Sequence, residues 1–500
     1  MYDILKPGKR YSALKYRKIK EDHSERGIKM KKIFAVLMAI VLLFSATACS
    51  SSSKTSADKT GDTTKSDSKT SSDTSSKSDS SGDTVEIRFT NWDGGATLEA
   101  YEEAINNFMK EHPNIKVTNL NIPSEYDTKI TAMIAANDTP EIAILESDSL
   151  LYPLAEEGKL VNILELIEND PEYDGSDLID NLKYMRDPDF MAGYGIGPQN
   201  ICLFYNPALF EKYGVEEPPA KYEDAWDWDT FVENAKKLTI DKNGRNALDP
   251  DFDPENIETY GLTIGKWWAM YMPFVLSAGG DYLNEDGTAI GMNSPEAIDA
   301  MQKIADLIWV HHVSPTPTAS ETMPGLSEGI ATNKIAMCVN GQWSNNTLMD
   351  DGVEYNVAAL PKIGDKAKTL ITAGCLSIPD TPKKEAAWEF YKYMLSPGTL
   401  SPLEKSGAWL PSVKSGYTEE YLKSIITDKH PANYYETVCL PMLDGTAEPP
   451  TTSWVVNFNK MNNILSPALD PVWAGESSYA DAVNSVLDQL NAEVNGRRDK

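Results

Sequence analysis

Apolar and polar positions become regularly patterned from Val85 onward, where segments of two different periods alternate. Strand-like segments place apolar residues at every second position, whereas helix-like segments place them at intervals of three and four. In chain order the pattern predicts strand, helix, strand, helix and strand over residues 85–90, 98–109, 115–120, 126–136 and 141–145. This order is typical of an α/β sheet with parallel strands. Ligands of such sheets lie beyond the carboxyl ends of the strands, where Trp92, Asp93 and Asp148 fall.

The remainder of the chain is less regular and contains one further apolar strand with several helix candidates. The strand is Ile201–Tyr205, which ends at Asn206-Pro207. Ser294 followed by Pro295 is typical of an N-cap with proline at the first helical position. The helix candidates are Asp229–Leu238, Ser294–Val310, Lys383–Leu395 and Ser478–Leu490. No internal repeat is visible.

The segment before Val85 has a different composition and predicts export. A basic start at Met30 precedes an apolar run over residues 33–44, which has the length of a secretory h-region and is too short to span a bilayer. The run ends in Ala46-Thr47-Ala48-Cys49, after which serine dominates. This ending resembles a bacterial lipobox, with residues 30–48 as the signal peptide and Cys49 as the lipidated residue. An ordinary cleaved signal with an incidental Cys49 is the alternative.

The stretches on either side of this signal predict no fold. Residues 1–29 are basic and unpatterned, and we expect them to be an upstream extension, with translation starting at Met30. Residues 50–84 are almost only Ser, Thr, Asp, Lys and Gly, with Ala57 the sole apolar residue. Such a segment cannot bury enough surface to offset the entropy of ordering. It predicts a disordered tether from Cys49 to a folded part that is anchored to a membrane and not embedded in it.

Charge and cysteine content restrict the classes of function. The formal net charge of −29 argues against a nucleic-acid partner, because that binding depends on Lys and Arg neutralising phosphates. We interpret the acidity as a source of solubility and not as the sign of a cationic substrate. The cysteines after Cys49 lie in apolar contexts without metal-site spacing, so buried thiols and disulfides both stay open. They are Cys202, Cys338, Cys375 and Cys439.

The loop from Asp241 to Glu255 places oxygen donors at alternate positions among glycine and proline. Ca²⁺ takes 6–8 oxygen ligands, so such a loop is a candidate cation site. The spacing does not match an EF-hand, and acidic runs of this kind are usually solvated. We therefore expect a surface loop with no metal.

Short blocks along the chain from Val85 carry a resemblance to one family. The blocks are Ile87–Trp92, Phe108–Val117, Asp138–Ile142, Leu154–Leu160, Phe204–Phe210, Trp226–Phe231, Ala235–Thr239, Gly279–Asp281, Lys334–Trp343 and Glu385–Phe390. In this order they resemble the extracellular solute-binding proteins of ABC importers, in the sugar-binding group related to maltose-binding protein.

That resemblance implies a two-lobed α/β fold of the periplasmic-binding-protein type II class, with hinge crossovers and a ligand cleft between the lobes. By position, the first lobe is about 85–200 and 373–408, and the second is about 201–372 and 409–500. Closure of such lobes around a ligand is a known hinge motion.

The resemblance also implies candidate ligand contacts. A sugar ring has an apolar face and a rim of hydroxyls, so its site needs flat aromatic surface with polar groups at the edges. Trp343 falls on the stacking tryptophan of the family. Asp93 and Asp148 fall on acidic positions that bond sugar hydroxyls, and Gln199 on a polar position before the crossover strand. The other candidates are Trp92, Gly95, Trp267, Trp268, Trp409 and Trp454.

Two nearby features qualify these assignments. Trp226 and Trp228 are expected to be structural, because they flank a helix start with Asp227 or Asp229 as the cap. Leu145 and Glu146 occupy a place where maltose-binding protein carries a tryptophan, which argues against linear maltose-type glucans as ligands.

The implied function is that of a lipid-anchored bacterial receptor on the outer face of the cell membrane. It captures a mono- or oligosaccharide as a monomer and delivers it to an ABC transporter permease, without catalytic residues or a cofactor. One alternative keeps the fold but binds a polyol, amino sugar, glycerophosphodiester or peptide. The candidate residues are neutral or acidic, which argues against a phosphate ligand.

The second alternative is an extracellular carbohydrate-active enzyme, since glycosidases also combine aromatic residues with paired carboxylates. The order of the blocks does not resemble a glycosidase barrel. The sequence also contains no HExxH motif. A binding protein is therefore the preferred interpretation.

Overall fold

The computed structural model describes residues 84–498, apart from the side chain of Asp148. The chain divides into Met1–Asp79 and Ser80–Lys500, and the described residues belong to the second of these units. The predictions for residues 1–29, the signal peptide, Cys49 and nearly all of the tether lie outside the described residues.

The strands of the described part form a mixed main sheet and one short ribbon. They are β1 Val85–Asn91, β2 Ile115–Asn121, β3 Ile142–Leu145, β4 Lys183–Asp187, β5 Phe190–Tyr205, β6 Ile240–Asp241, β7 Ile257–Thr259, β8 Thr263–Ile264, β9 Met337–Gly341, β10 Asn356–Ala358, β11 Thr369–Ser377 and β12 Ala447–Glu448. The main sheet has the order β2-β1-β3-β11-β5-β9-β8, with β4 and β10 also paired to β5 and β12 to β11. Strands β6 and β7 form the ribbon.

Helices alternate with these strands along the chain. The α-helices are Gly95–Glu111, Tyr126–Ala135, Tyr152–Glu156, Ile163–Asn169, Pro207–Tyr213, Trp228–Leu238, Trp268–Ser277, Pro295–Trp309, Pro317–Ser320, Leu326–Ala331, Ser344–Asp350, Lys384–Leu395, Ser401–Lys405, Glu419–Ile425, Pro441–Asp444, Thr451–Trp454, Phe458–Ala468, Asp470–Trp473, Tyr479–Ser485 and Leu487–Glu493. Shorter 3₁₀ turns and two π-helical turns, Ser147–Leu151 and Tyr435–Cys439, complete the described helical structure.

The predicted strand–helix–strand–helix–strand order is present at the start of the described chain. Strand β1 pairs in parallel with both β2 and β3. The first helix begins at Gly95 and ends at Glu111, so it is longer at both ends than its apolar pattern indicated. The structure confirms the α/β class.

Two of the other predicted elements differ from the structure. The strand predicted over Ile201–Tyr205 begins much earlier, at Phe190. The prediction missed its first half because glycines and Pro198 interrupt the strand pattern there. A Cβ at Gly193 would lie 2.5 Å from Ser377 Oγ, so these glycines allow the strands to approach closely. The helix predicted over Ser478–Leu490 is two helices, since Val486 leaves the helical conformation with ψ near 8° and φ near −117°.

Strands β5 and β11 connect the two halves of the sheet. Residues 194–200 of β5 pair with β11, which also pairs with β3. Residues 201–205 of β5 pair with β9 on the other side. One hydrophobic core contains Ile87, Phe108 and Phe390, and another contains Phe231 and Phe458. The arrangement is the two-lobed fold with crossover strands.

Residues near the C-terminus contact the segment 152–156. The Tyr152 hydroxyl donates a hydrogen bond to the carbonyl oxygen of Ser453. The Arg498 guanidinium lies 3.6 Å from the centre of the Tyr152 ring, and its Nη2 is 3.7 Å from Glu156 Oε1. In the proposed division these contacts join one lobe to the other.

The cysteines that the sequence left open are free thiols in the structure. All of them are buried: Cys202, Cys338, Cys375 and Cys439. Burial raises the pKa of each thiol, and that of Cys338 reaches about 11. They therefore act as small apolar side chains.

The acidic loop is organised around one carboxylate. Asp241 accepts hydrogen bonds from the backbone N–H groups of Asn243, Arg245 and Asp253. Within residues 84–498 no group of three or more His, Cys, Asp or Glu side chains has an arrangement that would hold a metal ion. None of the described helices is both long enough and apolar enough to cross a membrane.

Candidate functional site

A cavity of about 400 Å³ lies at the carboxyl ends of several strands. Trp92 follows β1, Glu146 follows β3, and Trp343 follows β9 closely. The crossover strands add Gln199 and Thr372. The full lining is Trp92, Glu146, Ser147, Tyr184, Gln199, Trp267, Trp268, Trp343, Thr372, Ala373, Gly374, Pro450, Thr452 and Asn459. This is the location at which α/β sheets bind ligands.

Tryptophan rings form one wall of the cavity. The ring centre of Trp267 lies 6.1 Å from that of Trp343 and 5.4 Å from that of Trp268. Trp267 is 46% exposed although it is large and apolar. An exposed cluster of aromatic rings in a concave site is typical of a ligand contact.

Gly341 determines where the Trp343 ring lies. A Cβ atom at Gly341 would be only 1.9 Å from Cζ3 of Trp343, so only glycine leaves room for the ring beside the end of β9. After the end of β1, Trp92 packs edge-on against Tyr126 at 5.1 Å between ring centres. The Tyr126 hydroxyl is itself held by the Ile144 carbonyl oxygen at 2.8 Å. Both tryptophans thus have supports that orient them.

Polar groups at the edges of the cavity complete the lining. The Glu146 carboxylate is exposed to the cavity but deeply surrounded by protein, and this desolvation raises its pKa, helped by the negative charge of Asp127. The Gln199 amide donates to the Ala408 carbonyl oxygen at 3.1 Å. The Thr372 hydroxyl is buried without a hydrogen-bond partner among the described residues. No Lys or Arg is among the described residues that line this cavity.

The structure brings half of the sequence candidates into one place. Trp92, Gln199, Trp267, Trp268 and Trp343 all line this cavity, although they come from distant parts of the chain. Their arrangement supplies the aromatic faces and one polar edge that the sequence analysis expected. Ligand contact by each of them stays a prediction.

The remaining candidates do not line this cavity. Asp93 is half-buried and accepts a hydrogen bond from the Tyr101 hydroxyl at 3.3 Å, while burial raises the pKa of its carboxyl. Gly95 begins a helix with φ near 55°. Asp148 lies in the turn Ser147–Leu151, and its side chain is outside the described part.

The two late tryptophans pack against other side chains, Trp409 being half-buried and Trp454 buried. Trp409 lies over Gly197, where a Cβ atom would be 2.1 Å from its ring. Trp454 is only 7% exposed, and the Arg497 guanidinium lies 3.9 Å from the centre of its ring. In this structure the positions near Trp454 that reach the cavity are Pro450 and Thr452.

Sequence reasoning did not select several of the residues that line the cavity. Glu146 directly follows the apolar strand β3, so the strand-end rule was a signal that could have found it. Tyr184 and Thr372 lie inside strands, and Asn459 lies in a helix. Nothing in their local sequence distinguishes them, because only tertiary contacts bring them to the cavity.

Trp226 and Trp228 pack as the sequence analysis expected. Trp228 is 8% exposed within one core, and Trp226 packs against the same core. Of the two candidate caps, Asp227 is the one that accepts the Thr230 N–H, at 2.8 Å.

Comparison with known proteins identifies similar chains. The family model described as "Bacterial extracellular solute-binding protein" matches residues 92–400. A Brucella abortus (strain 2308) protein described only as a binding protein is 25% identical over 413 residues, which cover 80% of this chain and 91% of that protein. The maltotriose-binding protein of Pyrococcus abyssi (strain GE5 / Orsay) is 22% identical over 349 residues, 65% of this chain and 66% of that protein.

Solved structures share the fold. An ABC substrate-binding protein of Listeria monocytogenes, in complex with cycloalternan, superposes with a TM-score of 0.67 at 24% identity. The alignment covers 82% of this chain and 99% of that one. A cyclic alpha-maltosyl-1,6-maltose binding protein from Arthrobacter globiformis gives a TM-score of 0.66 at 19% identity, over 83% of this chain and 100% of that one.

Proposed function

The chain belongs to the bacterial extracellular solute-binding protein family, and on this premise we propose that it is the sugar receptor of an ABC importer. The observation that carries the proposal is the cavity at the strand ends, whose wall of tryptophans is combined with polar edges. Of the relatives and neighbours named above, one is a maltotriose-binding protein, one was solved in complex with cycloalternan, and one is a cyclic alpha-maltosyl-1,6-maltose binding protein.

Trp343 and Trp267 stack on the apolar faces of the bound sugar in this proposal. The C–H face of a pyranose ring buries apolar surface against a flat indole, while the hydroxyls at its rim stay free for hydrogen bonds. Trp343 is held in place beside Gly341, so little conformational entropy is lost when a ring stacks on it.

Glu146, Gln199 and Thr372 bind the hydroxyls. The Glu146 carboxylate accepts hydrogen bonds from sugar hydroxyls, and charge-assisted bonds of this kind are the strong ones. The Thr372 hydroxyl has no protein partner in the described part, so a ligand hydroxyl would satisfy it. Asp93 and Asp148 remain candidates for the same role in a closed form of the protein.

Ligand binding closes the two lobes in this proposal. Trp92 and Glu146 belong to the proposed first lobe, and Trp267 and Trp343 to the second, so a bound sugar contacts both. A ligand shifts a conformational equilibrium only by its differential affinity for the two states. The crossover strands β5 and β11 are the segments about which the lobes would rotate.

The receptor is anchored through Cys49, acts as a monomer and passes its sugar to the permease subunits of the importer. The apolar run that precedes Cys49 and the polar tether after it support this part of the proposal. We expect Cys49→Ser to release the protein from the membrane, because the lipid on this thiol would be its attachment. Fractionation of cells separates the outcomes, and a variant that stays in the detergent-soluble membrane fraction would contradict the anchor.

A screen of sugars tests the central proposal. Neutral mono- and oligosaccharides are added to the purified protein in a thermal-unfolding assay, and those that stabilise it are measured by calorimetry. At a concentration of 100 times its Kd, a sugar adds about 2.7 kcal/mol to the free energy of unfolding. A panel without any stabilising sugar contradicts the proposal, and turnover of an oligosaccharide would favour the enzyme alternative.

A further inference from the structure

A second cavity lies beside Trp267. Its volume is about 320 Å³, and Trp267 lines both cavities. The walls come from the ends of β8 and β9, from the start of the helix Trp268–Ser277, and from the segment 315–326. The two cavities are therefore neighbours that share one tryptophan.

The second cavity is chemically different from the first. Its lining includes Ile264, Met270, Met323, Leu326 and Val339, whereas the first cavity has polar residues around its tryptophans. Met270 and Val339 are buried core residues, and Met323 and Leu326 are half-buried at the cavity wall. Methionine adapts its shape to irregular apolar groups.

A sugar ring does not suit such a lining. Each sugar hydroxyl placed against apolar side chains would lose its hydrogen bonds to water without a replacement. The polar residues that also border the cavity are Thr263, Lys266, Ser320 and Asn340, which are fewer than the apolar ones. Asn340 already uses its side-chain oxygen to accept the Gly341 N–H at 2.8 Å. An apolar group gains affinity in the same place because its surface leaves water.

We propose that the ligand is a glycoside with an apolar aglycone, the sugar occupying the first cavity and the aglycone the second. Trp267 is 46% exposed between the two cavities and provides a surface over which the glycosidic linkage passes. This inference rests on the proposed sugar-binding function and names the class of ligand for the same site. The observations that carry it are that Trp267 lines both cavities and that apolar residues predominate in the lining of the second.

Matched glycosides test the inference. Methyl and hexyl glycosides of each sugar that binds are compared by calorimetry, because the two differ only in the length of the alkyl chain. Each methylene that is fully buried strengthens binding by about fourfold, so we expect the hexyl glycoside to bind at least tenfold more tightly. Binding of the hexyl glycoside should also show a more negative heat-capacity change.

Substitutions in the wall of the second cavity test whether the alkyl chain binds there. Met323→Gln and Leu326→Gln make the wall of the second cavity polar at similar volume, and each should remove most of the hexyl advantage while leaving methyl glycoside binding unchanged. Met349→Gln is the matched control, since Met349 is also a half-buried methionine but lines neither cavity. The Met349→Gln protein should still bind the hexyl glycoside more tightly than the methyl glycoside, as the wild type does.

Three results would overturn the inference. Equal affinity for methyl and hexyl glycosides removes the aglycone pocket but leaves the sugar receptor intact. A hexyl advantage that persists in both cavity variants places the alkyl chain elsewhere. If Met323→Gln and Leu326→Gln weaken the binding of oligosaccharides, the second cavity holds sugar and not an aglycone. Absence of binding by every sugar and glycoside instead contradicts the proposed function itself.

Discussion

The tryptophans of the cavity wall and those of the adjoining core have the same side chain in opposite environments. Trp228 is 8% exposed and packs on Phe231 and Phe274 within a core, whereas Trp267 is 46% exposed beside a cavity. The core ring lies in a helix among apolar neighbours, and Trp267 is the N-cap residue directly before the helix Trp268–Ser277. The difference shows that the environment of an aromatic ring decides whether it contributes to folding or to binding.

Replacing the core tryptophan should give the largest effect. Trp228→Ala is expected to lower the free energy of unfolding by about 3–5 kcal/mol, because it leaves a cavity among Phe231 and Phe274. Urea unfolding measures this loss. Trp267→Ala is the matched control and should unfold at nearly the wild-type urea concentration. A Trp228→Ala protein of normal stability would contradict the assignment of this ring to the core.

Two glutamates allow the same comparison between the core and the cavity, and their protonation can be tested by varying the pH. Glu404 is 6% exposed, and burial raises its pKa to about 7, whereas the Glu146 carboxylate opens into the cavity. Since the pKa of Glu404 in the folded state lies above the unfolded value of about 4.3, its proton stabilises the fold at low pH. This contribution is lost as the pH rises from about 4.3 through 7.

Glu404→Gln should therefore stabilise the protein at alkaline pH. Between pH 5 and pH 8.5 we expect the difference between variant and wild type to grow by roughly 2–3 kcal/mol in favour of the variant, because the amide cannot ionise. Urea unfolding at both pH values provides the measurement. Glu420→Gln, at an exposed position, should show no such change. A constant difference for Glu404→Gln across this range would rule out the buried, protonated carboxyl.

The cavity tryptophan should show the reverse of the core tryptophan. Trp343→Ala is expected to weaken sugar binding by about 1–3 kcal/mol, taking base stacking on aromatic side chains as a guide, with little loss of stability. This corresponds to about one to two decades in Kd, which calorimetry can measure. Gly341→Ala should weaken binding in the same direction, because the added Cβ displaces the Trp343 ring. If Trp343→Ala and Trp228→Ala both weaken sugar binding by the same small amount, Trp343 does not stack on the sugar.

The smallest expected effect concerns the contact between the lobes. Arg498→Ala removes the guanidinium from the Tyr152 ring, an interaction of about 1–2 kcal/mol, and should raise the radius of gyration of the ligand-free protein in small-angle scattering. Arg497→Ala is the matched control, because Arg497 contacts Trp454 and Asp281 of the proposed second lobe. If both variants scatter alike, the Arg498 contact does not restrain the lobes.

Local periodicity accounts for the part of the fold that the sequence predicted. The first strands and helices were recognisable because apolar positions at intervals of two or of three and four depend only on nearby residues. Residues 190–200 of β5 were not predicted as a strand, because glycine and proline in a sequence usually indicate turns. In the sheet these residues permit close packing of the strands. The break at Val486 likewise lies within an unbroken helical pattern.

For the candidate site, the sequence by itself determined which aromatic residues were available and the strand ends at which Trp92 and Trp343 lie. Tertiary structure decided that Thr372 and Asn459 reach the same cavity, because their positions depend on how remote strands and helices pack. It also placed Trp454 in a core beneath Arg497, although the sequence analysis named Trp454 among the candidate ligand contacts. A side chain's exposure depends on every element packed around it, and those contacts are not local in sequence.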